Sequence, residues 1–414
     1  MLPTFDIIVV NDFAHVRGGA DRVALASATG LAAAGHSVTF FAAVGPVDPQ
    51  LAANPRIRVI CLDLPDILHD PSRLRAARNG LWNAGAARAF RQRCGGHNPS
   101  EAIVHVHSYT KALSAAVPSA AAAMGFRTVL TLHDYFLGCP NGGFFEYPVM
   151  EVCRRTPLGL DCLNCRCDSR NHAHKLWRFA RTWVQNRVAR LPGRLDCVIA
   201  LSALNRDTAR TFLPPGTRIV TVPNPVEVAP TAPVPVENNS RFVFAGRLEP
   251  YKGPQLLAQA AAQRPAEVVF CGDGPAAATV REIFPAARVT GWLDAAQLGA
   301  ELAQARALVF PSLWPETFGL TVLEALARGI PVIASRGTAA EEHVRHDVNG
   351  LLFDRGSVSS LGEMMQRLED PLTAARLGRE AHRAYWHGPF TLARHVAALE
   401  GVFGSLRAFR PEAA

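Results

Sequence analysis

Apolar residues along this chain gather into short runs, separated by longer Ala-rich stretches with helical spacing. The first run, at 7–10, is aliphatic and ends at Asn11-Asp12. A Gly18-Gly19 turn follows, then a helical stretch over 20–34 stopped by Gly35, then a second strand over 37–43. Further strands are expected at 58–62, 102–106, 128–132, 197–201 and 219–222. Strands that alternate with helices predict a parallel sheet covered on both faces.

The pattern breaks at 228–240, where Pro230, Pro233 and Pro235 lead to the polar Asn238-Asn239-Ser240. It then restarts, with strands expected at 241–245, 267–271, 288–290, 307–310 and 331–334. The chain of 414 residues is longer than one core usually supports. The expectation is therefore an α/β protein with a first domain over 1–228, a linker over 229–240, a second domain over 241–385 and a helical segment over 386–414. Two such domains would face each other across a cleft at the carboxyl ends of their sheets, where ligands of open parallel sheets bind.

Charge is uneven. Residues 1–228 hold 25 Lys and Arg against 16 Asp and Glu, while 229–414 hold 18 against 19. The basic first half favours anionic partners without choosing among them. No recognisable nucleic-acid motif accompanies it, which argues against a nucleic-acid partner. No apolar stretch is long enough to span a bilayer, and the N-terminus lacks the basic lead and cleavage site of a signal peptide. The expected location is the cytoplasm, with peripheral contact at the inner face of the membrane as a further expectation.

Candidate chemistry concentrates in the second domain. Trp314-Pro315-Glu316-Thr317-Phe318-Gly319-Leu320 follows a strand and leads into a helix that carries Glu324. The helix is expected to begin near Thr317 or Phe318, so the N–H groups around Phe318, Gly319 and Leu320 would favour an anion. Eight residues of helix span ~12 Å, a separation that suits one carboxylate at a sugar and another at a ribose. A capping Glu and an exposed Glu would give the same spacing. Upstream, Gly246-Arg247 and Lys252-Gly253 follow a strand, as does Gly272-Asp273-Gly274-Pro275. The latter also fits a dinucleotide turn, a weak signal.

In this order, Gly246 to Gly253 and Glu316 to Glu324 resemble the G-R-x-x-x-x-K-G and E-x7-E motifs of retaining glycosyltransferases of family 4, which have the GT-B fold of two Rossmann-like domains. The resemblance runs along nearly the whole chain. It implies a hexosyl transfer from a nucleoside diphosphate sugar, such as a UDP- or GDP-sugar, to a glycan or lipid-linked acceptor in polysaccharide or glycoconjugate synthesis. It implies an acceptor-side first domain, a donor-binding second domain and a C-terminal segment that packs back on the first.

It also assigns residues. Arg247 and Lys252 would meet the diphosphate, so catalysis would need no metal, and Glu316 the sugar. Glu324 would meet the ribose, Gly272 and Gly274 would form the donor turn, and the backbone near Trp292 would meet the base. Trp292 itself is equally read as a packed core residue. In the first domain Gly18 and Gly19, followed by Asp21 where Glu is usual, resemble the glycine loop near the donor phosphates. His133-Asp134 resembles the family's H-D motif, which places His133 near the sugar; a satisfied structural His remains the alternative. His107 is a candidate for the acceptor side. Pro225 replaces the glycine of a P-N-G-V turn, so Asn224 carries little weight. A nucleotide-sugar epimerase and an inactive nucleotide-sugar-binding protein are the competing readings.

Two features stand outside this set. Cys139, Cys153, Cys162, Cys165 and Cys167 cluster in a loop-rich insertion at 139–167. The expected ligand set for a structural Zn²⁺ is Cys139, Cys153, Cys162 and Cys165, with plain thiols and an iron–sulfur cluster as alternatives. The stretch 175–190 interleaves Trp177, Phe179 and Trp183 with Arg178, Arg181, Arg187 and Arg190. It is read either as a helix for an anionic membrane surface or as a core-facing helix with a solvated basic side.

Overall fold

The computed structural model describes residues 4–408. Residues 1–3 of the expected first domain and 409–414 of the expected C-terminal segment lie outside the described residues. Two compact units emerge. The first holds the chain up to Pro148, Cys153–Pro225 and the chain from Thr391 onward; the second holds Val149–Val152 and Val226–Phe390.

The first unit is built on seven parallel strands: β1 (Asp6–Phe13), β2 (Ser37–Val44), β3 (Ile57–Cys61), β4 (Ala102–Val106), β5 (Arg127–Thr131), β6 (Cys197–Ala200) and β7 (Ile219–Thr221). Their order is β3-β2-β1-β4-β5-β6-β7. β1 is apolar because it is covered on both faces; Ile7, Ile8, Val9 and Val10 are all fully buried. Odd and even positions feed different cores. Ile8 and Val10 face Phe41, Phe90 and Leu130, whereas Ile7 and Val9 face Phe40, Leu31 and Phe403.

Helix α1 (Gly19–Ala33) covers the second face together with the C-terminal helix (Leu392–Ala408). That helix contributes Val396, Leu399, Val402, Phe403 and Leu406 to the core. Phe403 is fully buried and meets the ring of Phe5 edge-on at 6.0 Å. It therefore belongs to the first unit although it is distant in sequence. Helix α2 (His172–Trp183), just after the Cys-rich insertion, is also part of this unit.

The second unit repeats the plan with β8 (Arg241–Ala245), β9 (Val268–Cys271), β10 (Arg288–Gly291), β11 (Ala305–Phe310), β12 (Val332–Ser335) and β13 (Gly350–Phe353). The order is β10-β9-β8-β11-β12-β13, again all parallel. Helix α3 (Leu320–Ala327) connects β11 to β12. Residues 229–240 are not a free tether. Val236 is buried, and the Val234 N–H donates to Arg328 O at 2.8 Å. β13 is not foreshadowed by the apolar pattern: it is only four residues long and its glycine sits where a strand is least expected.

In each unit the strand order reverses at one place, between β1 and β4 and between β8 and β11. Helices leave the sheet on opposite faces there and open a crevice at the carboxyl ends. Phe403→Ala should lower stability by about 3–5 kcal/mol, read from thermal or urea unfolding. A loss below about 1 kcal/mol would mean that the C-terminal helix adds little to the first unit.

Candidate functional site

At the second unit's switch point the chain leaves β8 through Gly246 and Arg247, and leaves β9 through Gly272 to Gly274. The two exits are laced together. Gly246 N–H donates to Cys271 O at 2.9 Å, Leu248 N–H to Asp273 O at 2.8 Å and Ala276 N–H to Leu248 O at 2.9 Å. Gly272 has φ 149°, and a Cβ there would lie 1.9 Å from Gly246 O. At Gly274 a Cβ would lie 2.6 Å from Leu248 O. Both glycines are thus required by the protein's own backbone, which holds the Arg247 loop in place. Arg247 donates to Tyr251 Oη at 2.9 Å and to Glu249 at 3.3 Å, and its guanidinium is largely exposed.

A short turn, Pro250–Lys252, follows. Tyr251 O accepts the N–H groups of Leu313 at 2.9 Å and Trp314 at 3.2 Å, which ties this turn to the loop after β11. The tie brings Lys252 Nζ to 2.8 Å from Glu316 Oε1. The Ser312 hydroxyl donates to the same oxygen at 3.1 Å. Glu316 is 6 % exposed and has φ 54°. A buried carboxylate needs a counter-charge, and a left-handed Glu costs backbone energy that a packed surrounding must offset.

Helix α3 starts later than Thr317 or Phe318. Gly319, at φ 89°, is its N-cap and turns the chain into the helix. The first helical N–H groups are therefore those of Leu320 and Thr321, while Phe318 is packed against the rings of His343 and Phe390. Glu324, on α3, is 8 % exposed, so the exposed-Glu alternative does not hold. Trp292 is 76 % exposed and is not a packed core residue.

In the first unit, the carboxyl ends of β1, β4 and β5 gather a polar cluster. The Asp12 carboxylate accepts the N–H groups of Lys111 at 2.7 Å and of Ala112 and Leu113 at 2.9 Å each. Burial raises its pKa to about 6 against those three bonds. Asp21 accepts from Asn11 Nδ2 at 3.0 Å and from Arg17 N–H at 3.2 Å, so it closes the loop before α1. Gly18 is the N-cap of α1 and Gly19 its first residue; a Cβ on Gly18 would meet nothing within 4 Å.

His133 Nε2 lies 2.9 Å from His107 Nδ1, with the rings stacked at 5.2 Å. His105, on β4, comes two residues before His107, which follows the strand's end, and its ring is 4.2 Å from that of His107. Burial pushes His105 and His133 down to about 3, and His107 well below its usual range. All three are neutral near pH 7 and present nitrogen lone pairs and N–H groups rather than positive charge.

Cys139, Cys153, Cys162 and Cys165 do not converge as the expected Zn²⁺ ligands. Among the described residues no three His, Cys, Asp or Glu side chains are placed to hold a metal ion. Cys139, Cys165 and Cys153 have separate polar neighbours. Cys139 Sγ donates to Asn141 at 3.0 Å, Cys165 Sγ to Glu146 at 3.4 Å, and Arg155 approaches Cys153 at 4.0 Å. Cys162 and Cys167 both accept from the ammonium of Lys175.

Comparison with known proteins bears on the family and the fold. Residues 17–229 match the family model described as Glycosyltransferase Family 4, and residues 230–384 match Glycosyl transferases group 1. The chain belongs to glycosyltransferase family 4. A GDP-mannose-dependent alpha-mannosyltransferase of Corynebacterium glutamicum is 36% identical over 111 residues, which is 27% of this chain and 27% of that protein. A D-inositol 3-phosphate glycosyltransferase of Corynebacterium diphtheriae is 33% identical over 184 residues, 39% of this chain and 42% of that protein. The matches thus cover less than half the length of these curated relatives.

Among solved structures, a sucrose-phosphate synthase from Thermosynechococcus elongatus superposes with TM-score 0.70 at 20% identity, over 98% of this chain and 99% of that one. Anabaena HepE in complex with UDP and glucose gives 0.67 at 18% identity, over 97% and 100%. These likenesses show the fold, the GT-B class with two Rossmann-like units.

Other features of this family 4 chain are not evident from its sequence. Ser312 and Tyr251 belong to the Lys252–Glu316 group, and Asn11, Asp12 and His105 to the first unit's cluster. The i, i+2 spacing of His105 and His107 at the end of a strand is the available signal for that pair.

The expected basic side is divided: Arg187 and Arg190, just beyond helix α2, are exposed, whereas two cations of the helix itself are not. Lys175 and Arg181 are buried, and Arg181 lies over the Phe136 ring at 4.6 Å. The exposed side instead carries Leu176 and Trp183, with Val188 beyond the helix end.

Gly272→Ala should cost more than about 2 kcal/mol in urea unfolding; a cost under about 0.5 kcal/mol would contradict the close approach to Gly246. The histidine cluster gives a pH signature. Depressed folded-state pKa values mean that the unfolded chain binds more protons between roughly pH 3 and 6.5. Stability should therefore fall as pH drops through that window, by about 1 kcal/mol per histidine per pH unit. His107→Gln should flatten the curve measured by thermal unfolding, and an unchanged slope would oppose the assignment.

Proposed function

We propose that this chain transfers a sugar, with retention of anomeric configuration, from a nucleoside diphosphate sugar to a hydroxyl of a glycan or lipid-linked acceptor. The carrying observation is the 2.8 Å contact of Lys252 with Glu316 at the β8/β11 switch point. Breaking a sugar–phosphate bond builds positive charge at the anomeric carbon and negative charge on the leaving diphosphate. Lys252 and Arg247 supply cations for that diphosphate, assisted by the N–H groups at Leu320 and the start of α3.

Glu316 is an acceptor-only carboxylate. When a phosphate competes for Lys252, its oxygens are released to accept bonds from sugar hydroxyls. Glu324 serves the ribose in the same way. The Gly18–Gly19 turn leaves room for a phosphate, and neutral His133 hydrogen-bonds the sugar. No carboxylate is assigned as a covalent nucleophile. The departing phosphate takes the acceptor's proton on the same face, which preserves configuration.

The relatives' names, a GDP-mannose-dependent enzyme and a UDP complex, support a UDP- or GDP-sugar as donor. An epimerase of this fold and an inactive binder are the competing readings, and the presence of Glu316 and Glu324 together with Arg247 and Lys252 argues against both. A donor panel with product mass spectrometry separates them: transfer gives a glycosylated acceptor, epimerisation an isomeric donor, and binding alone neither.

A second reading concerns where the acceptor is met. Leu176 is 44 %, Trp183 48 % and Val188 61 % exposed, beside the exposed Arg187 and Arg190. An apolar stripe flanked by arginines suits an anionic membrane surface, which supports a lipid-linked acceptor and peripheral location.

Glu316→Gln and Lys252→Ala should each lower kcat by about 100-fold or more; Glu316→Gln should unfold close to the wild-type temperature, whereas Lys252→Ala, which leaves the buried carboxylate without its counter-charge, should unfold at a lower one. Near-normal turnover in both would contradict the assignment. Trp183→Ala should reduce sedimentation with vesicles rich in phosphatidylglycerol. Equal sedimentation of wild type and variant, or none by the wild type, would remove the membrane reading.

A further inference from the structure

Lys175 is fully buried on α2. Its ammonium donates to Cys162 Sγ at 3.3 Å and to Cys167 Sγ at 3.4 Å. Among the described residues it forms no ion pair with a carboxylate; the nearby Asp168 is taken by Arg178 at 3.1 Å. Thiol sulfur is a weak acceptor. An ammonium buried against two thiols is therefore a poor device for stability, and an apolar side chain of similar volume would avoid its desolvation. The arrangement has another property. One amine nitrogen touches two sulfurs, and a single oxygen atom would bridge either gap with little movement.

We infer that Lys175 with Cys162 and Cys167 is an oxidation site, at which hydrogen peroxide closes a covalent Nζ–O–Sγ link between the lysine and one of the two cysteines. A first peroxide transfers oxygen to the thiol, giving a sulfenic acid and one water; sulfur loses two electrons. The ammonium releases a proton to solvent. A second peroxide then oxidises nitrogen by two electrons. The N–H and O–H bonds break, the N–O bond forms, and two waters leave. The product has gained one oxygen and lost two hydrogens relative to the free thiol and amine.

The link would fasten α2 to the Cys-rich segment. That segment is already tied to the loop after His133, because Asn141 Nδ2 donates to Cys167 O at 3.2 Å and to Phe145 O at 2.7 Å. Cys162 and Cys167 are 6 % and 4 % exposed, so a small neutral oxidant such as peroxide reaches them more readily than a bulky thiol reagent.

The full-length chain, reduced or treated with dilute hydrogen peroxide, is digested and its peptides are mapped by mass spectrometry. The expected product joins the Lys175 peptide to that of Cys162 or Cys167, with one added oxygen and two hydrogens fewer, and is reversed by a dithiol. Lys175→Arg keeps the cation and should abolish the cross-link. A Cys162–Cys167 disulfide as the main product would overturn the inference. So would cysteine sulfinic or sulfonic acid beside unmodified Lys175, or no change at all. Because the wild-type map decides alone, poor folding of Lys175→Arg does not rescue the idea.

Discussion

A carboxylate buried beside an ammonium organises the second unit's candidate site. Glu316 sits at the carboxyl end of β11 in a left-handed conformation, and burial without Lys252 and Ser312 would leave its charge without compensation. Much of the surrounding geometry serves that placement. The lacing of the β8 and β9 exits steadies the Arg247 loop, the carbonyl of Tyr251 fastens the 250–252 turn to the 313–314 backbone, and Gly319 delays the helix so that Glu316 stays outside it. The pair also has a chemical consequence: a cation and an acceptor held together can be separated by a ligand that offers a phosphate to one and hydroxyls to the other.

The first unit solves a different problem at the same topological position. Its switch point holds neutral histidines and an Asp12 satisfied by three backbone N–H groups. The three histidines add hydrogen-bonding capacity there without adding charge. Neutral rings of this kind offer hydrogen bonds to uncharged hydroxyl groups.

Much of the fold was legible from periodicity. Every strand of both sheets except β13 fell within about three residues of an apolar run, because parallel strands buried on both faces leave an unmistakable record. The residues of the second unit's candidate site were singled out by their order along the chain rather than by any single spacing. What periodicity could not show was partnership. Nothing in the sequence says that Lys252 would meet Glu316, that Ser312 would join them, or that Gly272 is needed by the backbone of Gly246. The cysteine spacing suggested a metal because it recorded proximity in sequence; the structure placed a lysine from α2 between two of the thiols. The basic helix was legible only in part for a related reason: composition does not say which face is buried, and Arg181 lies inward over Phe136 while Arg187 and Arg190 are exposed.

The central claim is that the Lys252–Glu316 pair is the point at which a nucleoside diphosphate sugar is held. A crystal structure with UDP-glucose or GDP-mannose bound tests it most directly. The account predicts phosphate oxygens on Lys252, hexose hydroxyls on Glu316 and ribose hydroxyls on Glu324. A nucleotide sugar seated elsewhere, with Lys252 and Glu316 still paired at hydrogen-bond distance, would contradict it.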